Sequence, residues 1–132
     1  MDRYLFKGKE KDSGKWLEWN AIAGIPHNVA ILTNTICQCT GLKDKNGNLI
    51  WENDIIHKPF YTDYDAYANS EAYTGRIQYE DGGWSVEITR SDGNVCASPI
   101  IDMIAYSKEV EHFEVIGNIF DNPELLNKRE ET

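Results

Sequence analysis

Three aspartates are the residues of this sequence best suited to chemistry, because each lies in or beside a predicted turn. Carboxylates that converge can hold a divalent cation and activate water for hydrolysis. The sequence has no aspartate-rich loop with the ligand spacing of a cation site, however, and turn formation alone accounts for the residue type. We therefore predict turn-forming roles, with a small metal-assisted enzyme as the alternative. The three candidates are Asp44, Asp54 and Asp81.

Cysteine offers a second set of possible metal ligands. Cys37 and Cys39 are separated by one residue, whereas structural zinc sites use a wider spacing and a matching second pair. On a strand both side chains point to one face, where they pack as small hydrophobic groups. With Cys96 they make an odd number, so we predict three reduced thiols. Since no nucleophile elbow or phosphate-binding loop occurs either, the sequence predicts no metal, no cofactor and no catalytic residue.

Aromatic residues are concentrated in the segment 59–73, which contains four of the seven tyrosines. Long connections in compact domains tend to carry function, and exposed tyrosine favours interfaces. The alternative is that Tyr61, Tyr64 and Tyr67, which are spaced by three residues, cover the mouth of a β-barrel in their own subunit. The predicted interaction surface combines this segment with the tryptophan after the next turn: Phe60, Tyr61, Tyr64, Tyr67, Tyr73 and Trp84.

Length and charge restrict the class of protein. A chain of 132 residues with 41% hydrophobic residues is one globular domain, residues 1–132. It has neither an apolar run long enough for a membrane helix nor a signal-peptide pattern at its start, so we expect no membrane contact and a cytoplasmic location. The net charge of −9 makes direct non-specific binding of nucleic acid unfavourable. It also leaves open an acidic protein that mimics nucleic acid or engages a basic partner.

Short β-prone segments, separated by Gly, Asp and Asn turns, must position these residues. Asn46-Gly47 is the strongest hairpin signal, and Gly75 suits a strand that coils. The predicted elements are an opening hairpin over 3–22, an apolar linking strand over 29–39, a hairpin turn at 46–47, a strand over 49–57, a three-stranded meander over 75–97, a helical segment over 99–106, a strand over 110–119 and a helix starting at Asp121 or Asn122.

Many short strands in close succession predict a mainly β (β-rich α+β) fold built on a small barrel. The order of turn, strand, long excursion and tight hairpin over 41–120 is typical of an SH3-like β-barrel. Residues 1–40 add an N-terminal hairpin and linking strand, and residues 121–132 add a short C-terminal helix.

Three segments together resemble the YopX family of phage and prophage proteins. CTGLKDKNG at 39–47 with WENDII at 51–56 resembles the family pattern YTGLKDKNG…I(Y/F)EGDI(I/V). GRIQYEDGGW at 75–84 is similar to the central hairpin of the family, and VIGNIFDNPELL at 115–126 is similar to its C-terminal VIGNIYENPELL. Asn53 replaces a glycine of the pattern, which is compatible because Asn also tolerates a positive φ.

The resemblance implies a β-rich fold and a gene carried by a phage or prophage, hence a bacterial host cell. It implies no reaction, because no catalytic residue of the family can be carried over to this sequence. We therefore expect a non-enzymatic module that binds a protein partner or associates with itself. The metal-assisted enzyme and the acidic host-takeover protein are the alternatives.

Overall fold

The computed structural model describes residues 4–60, 72–80, 82–89, 95–100 and 109–127. These residues form nine strands in two antiparallel sheets, which confirms a mainly β fold. Contacts divide the chain into a four-stranded unit (Met1–Leu42 with Leu49–Glu52) and a five-stranded unit (Lys43–Asn48 with Asn53–Thr132). No helix in the described part of the chain has the length and apolar character needed to cross a membrane.

The four-stranded unit has the strand order β2-β1-β3-β4. Its strands are β1 (Leu5–Lys9), β2 (Trp16–Asn20), β3 (Cys37–Lys43) and β4 (Leu49–Trp51). The predicted opening hairpin is confirmed, because β1 and β2 pair in antiparallel register. Phe6 lies directly opposite Trp19, and their rings stack with centroids 6.5 Å apart.

The predicted linking strand over 29–39 is wrong, because β3 begins only at Cys37. A 3-10 turn spans Thr33–Thr35 instead. The Thr35 hydroxyl donates to the Leu32 carbonyl at 2.6 Å and accepts the Lys9 amide at 2.9 Å. A hydroxyl that bonds to the nearby backbone competes with the extended conformation that the β-branched composition favours.

The five-stranded unit has the order β8-β7-β6-β5-β9. Its strands are β5 (Asp54–Lys58), β6 (Tyr73–Glu80), β7 (Gly83–Thr89), β8 (Val95–Pro99) and β9 (Glu114–Asn118). The predicted meander is confirmed as β6, β7 and β8. β8 and β9 stand at opposite edges of the sheet, and the described strands form no closed barrel, so an SH3-like barrel is not confirmed.

Several predicted boundaries move in the structure. The predicted strand over 49–57 is divided into β4 and β5. The turn between them contains Asn53, which has a φ of 69°. The strand over 110–119 shortens to β9, because a 3-10 turn occupies Glu109–His112. Of the helical segment over 99–106, only Pro99 and Ile100 belong to the described residues.

The C-terminal helix is shorter than predicted within the described residues. This helix, α1, spans Glu124–Asn127. The Asn122 carbonyl accepts the Leu125 amide, but the Asn122 side chain accepts the Asn118 amide at 3.3 Å. Asn122 thus uses its side chain to hold the end of β9 and not to cap the helix.

Candidate functional site

Asp44 is the centre of a hydrogen-bonded turn in the five-stranded unit. Its Oδ1 accepts the backbone amides of Asn46 and Asn48, each at 2.9 Å. Its Oδ2 accepts the amide of Val115, also at 2.9 Å, at the start of β9. Asp44 is buried, and both carboxylate oxygens therefore serve to hold backbone.

The pKa of the Asp44 carboxyl group lies below its usual value. Burial raises this pKa, but the amides of Val115, Asn48 and Asn46 lower it by more. A carboxylate that accepts several backbone N–H bonds is favoured in its ionised form. Asp44 is consequently ionised at neutral pH and stabilises the turn in that state.

Two further contacts join this turn to the segment that leads into β9. The Lys45 amide donates to the Phe113 carbonyl at 2.9 Å. The Lys45 ammonium lies 3.3 Å from the Glu114 carboxylate, but both side chains are about two-fifths exposed. Such exposed ion pairs contribute little to stability, so the backbone bonds carry this connection.

The other two aspartates do not join Asp44 in a described site. Asp54 is buried at the start of β5, where it pairs with Asn118 in the ladder to β9. Asp81 lies outside the described residues. Across the segments that the structure describes, no group of three or more His, Cys, Asp or Glu side chains could hold a metal ion.

None of the three cysteines forms a disulfide. Cys37 and Cys39 are buried, and their thiols donate to the carbonyls of Thr35 and Ile50. Cys96 on β8 is partly exposed. The first two cysteines therefore have the packing role that the sequence indicates.

We expect a thiol reagent to distinguish these cysteines. Cys96 should react rapidly in the folded protein, whereas Cys37 and Cys39 should react only as fast as the fold opens, because a buried thiol cannot meet the reagent. Release of a chromophore from an aromatic disulfide reagent measures this directly. Cys96→Ser should remove the fast phase, and rapid reaction of all three thiols in native buffer would contradict their burial.

The predicted interaction surface is only partly described. Phe60 is 64% exposed. Trp84, at the start of β7, contacts the ring of Tyr79 edge-on with centroids 5.1 Å apart. Tyr79 itself is 55% exposed. The remaining members Tyr61, Tyr64 and Tyr67 lie outside the described residues.

Tyr73 does not lie on an exposed surface. It is 5% exposed, its hydroxyl donates to the Glu109 carboxyl group, and its ring meets Phe113 edge-on at 6.3 Å. The alternation along β6 explains this position, because Tyr73 shares the buried face with Ile77. Tyr79 continues that face beyond the core, so it is an exposed tyrosine that the predicted surface omitted.

A comparison with protein families gives one description for the sequence. The family model described as YopX protein matches residues 2–127, a span that includes both sheets and the Asp44 turn. The chain belongs to the YopX protein family. Curated proteins give no significant match to the sequence.

This YopX-family chain also encloses a lysine that the sequence analysis did not single out. Lys58, the last residue of β5, is 0% exposed, and its ammonium lies 5.1 Å from the centre of the Tyr73 ring. Lysine is almost never fully buried. The sequence did contain a signal for this burial, because Lys58 lies two residues after Ile56 and therefore on the same face of β5. Lysine as a residue type, however, predicts an exposed position.

In the four-stranded unit of the YopX-family chain, lysines lie over tryptophan rings. The Lys7 ammonium is 4.8 Å from the centroid of Trp16 and 4.9 Å from that of Trp51. Lys9 lies 5.4 Å from Trp16. These cation–π contacts account for the positions of Lys7 and Lys9.

Proposed function

We propose that this YopX-family protein is a non-enzymatic module that binds a protein partner, and that a second copy of the chain is the first partner to test. The observation that supports this most is the aromatic pair formed by the exposed Tyr79 and the half-buried Trp84. Aromatic rings supply much of the binding energy at protein interfaces. Phe60, more exposed than Tyr79, adds a third ring on the same unit.

The position of Asp44 supports a binding module over a hydrolytic enzyme. A catalytic or metal-binding carboxylate needs lone pairs directed at substrate or ion. Both Asp44 oxygens accept backbone amides instead. The metal-assisted alternative would therefore require Asp54 and Asp81 to act without Asp44.

An SH3-like barrel remains our proposal for the five-stranded unit. Two features support it: β5 pairs with both β6 and β9, and its ladder to β9 contains a register shift between Ile55 and Ile56. Bulges of this kind and glycines such as Gly75 increase the coiling that a small barrel requires.

The charge of the surrounding segment favours the alternative partner, a basic protein, over a second copy of this acidic chain. Residues 60–92 contain seven acidic residues and two basic ones. Salt screens exposed charges, so added salt should release a basic partner but should not weaken contact between two acidic copies. We place the protein in the cytoplasm of a bacterial cell that carries the phage or prophage, without membrane contact and without direct binding to nucleic acid.

A double variant tests this proposal. Phe60→Ser with Tyr79→Ser should return the protein to its monomer mass of 15.1 kDa, because it removes two exposed rings. Light scattering at several concentrations measures the mass, and circular dichroism verifies the fold. A second variant changes Tyr61, Tyr64 and Tyr67 to Ala and should act in the same direction.

Ile22→Ser is the matched control, because Ile22 is 96% exposed and lies in the four-stranded unit. It removes an exposed hydrophobic side chain of comparable type and should leave the mass unchanged. The proposal fails if parent and double variant have the same mass and retain the same proteins during purification from cells.

A further inference from the structure

Lys58, Tyr73 and Glu109 form a buried polar cluster that the proposed function does not use. The three residues are 0%, 5% and 3% exposed. Tyr73 connects the other two, because its ring lies beneath the Lys58 ammonium while its hydroxyl donates to the Glu109 carboxyl group. Enclosing such polar groups carries a large desolvation penalty, so their position calls for a physical reason.

The cluster lies where the sheet register is least determined by local structure. Lys58 ends β5 and Tyr73 begins β6, and the two residues are direct partners in the ladder. Fourteen residues, 59–72, separate them along the chain. A tight turn fixes the register of a hairpin, but a connection of this length cannot.

We propose that the buried Lys58–Tyr73–Glu109 cluster is a register lock for β5, β6 and β9. A slip of one residue would turn Lys58 to the opposite face of the sheet. A slip of two residues would keep the face but place Lys58 opposite a residue other than Tyr73, which would separate the ammonium from its ring. Only the observed register keeps all three groups together.

The same cluster extends to the third strand. Glu109 begins the 3-10 turn that leads to Phe113, and β9 starts at the next residue. The Phe113 ring packs edge-on against Tyr73, and β9 pairs with β5. The Glu109 carboxyl group, which accepts the hydrogen bond from the Tyr73 hydroxyl, therefore also links the start of β9 to the end of β5. Buried polar groups can select one arrangement at some cost in stability.

Nuclear magnetic resonance of Lys58→Met with Glu109→Met tests the lock. This double variant removes both polar groups together, so neither remains buried without the other. We expect a folded protein in which the amides of β5 and β6 give more than one resonance each. The contact between His57 and Thr74, which are direct partners in the ladder, should weaken. A single set of resonances with the parent contacts would overturn the proposal. Lys45→Met, at an exposed lysine, is the control and should keep one set.

Tyr73→Phe gives a second test that does not depend on the stability of the double variant. It removes only the hydroxyl, so amide exchange should accelerate about tenfold at His57 and Thr74. The amides of Ile77 and Val86, further along the ladder, should keep their parent rates. Equal acceleration throughout the sheet, or none at all, would show that the hydroxyl has no local role in the register.

Discussion

Asp44→Asn is expected to lower the free energy of unfolding at pH 7 by about 3 kcal/mol, or to lower Tm by roughly 10 °C for a chain of this size. Asparagine has one side-chain oxygen, whereas the carboxylate accepts the three amides of Asn46, Asn48 and Val115 with two. At least one of these part-buried backbone amides then loses its acceptor and faces the N–H group of the asparagine side chain. Urea unfolding followed by circular dichroism measures the difference.

The effect of Asp44→Asn should depend on pH with a defined sign. The pKa of Asp44 is lowered in the folded protein, so its stabilisation is complete above the unfolded pKa and is lost as pH falls through the folded pKa. The difference in the free energy of unfolding between parent and variant should therefore shrink below about pH 4. The exposed Asp12→Asn is the control, and a gap that stays constant down to pH 2–3 would contradict the role given to the carboxylate.

Gly75→Ala should destabilise the protein by about 2–3 kcal/mol. A Cβ atom at Gly75 would lie 2.6 Å from Val86 Cγ1 and 3.0 Å from the Glu87 carbonyl oxygen. The first contact requires a side chain to move, and the second presses on the backbone of β7. Thermal unfolding measures the loss. Gly83→Ala is the control, since nothing lies within 4 Å of its Cβ position.

Relief of this clash can be tested with Val86→Ala. If Gly75 is required by its close approach to Val86, the double variant should be more stable than the sum of the single effects predicts, by about 1 kcal/mol. Strict additivity would mean that the Val86 methyl group is not the obstacle. The destabilisation that Gly75→Ala still causes in the Val86→Ala background then measures the contact with the Glu87 carbonyl oxygen.

Local signals were sufficient to predict the hairpins. Asn46-Gly47 forms the predicted turn, with a φ of 83° at Gly47, and Asn53 has the positive φ that its place in the family pattern suggests. These features depend on residues that are close in sequence. The hydrogen bond between Asp44 and Val115 does not depend on such local residues, because Val115 is 71 positions away. A turn former could be predicted there, but its attachment to β9 could not.

The candidate surface was harder to predict than the strands. Alternation along β6 places Tyr73 and Tyr79 on one face, but it does not show where along the strand the core ends. The structure places Tyr73 inside and Tyr79 outside. Lys58 shows the opposite difficulty, since residue type indicates exposure while tertiary packing encloses the side chain. In both cases the outcome depends on neighbours contributed by distant segments.

We propose that aromatic surface, and not acidic side chains, makes the contacts of this protein. The indole N–H resonance of Trp84, assigned with Trp84→Phe, is the decisive measurement. As the protein is concentrated, we expect the Trp84 resonance to shift while that of the buried Trp51 stays in place. A Trp84 resonance that is unchanged by concentration, together with shifts around Asp44 and Asp54 on addition of magnesium, manganese or zinc, would contradict it.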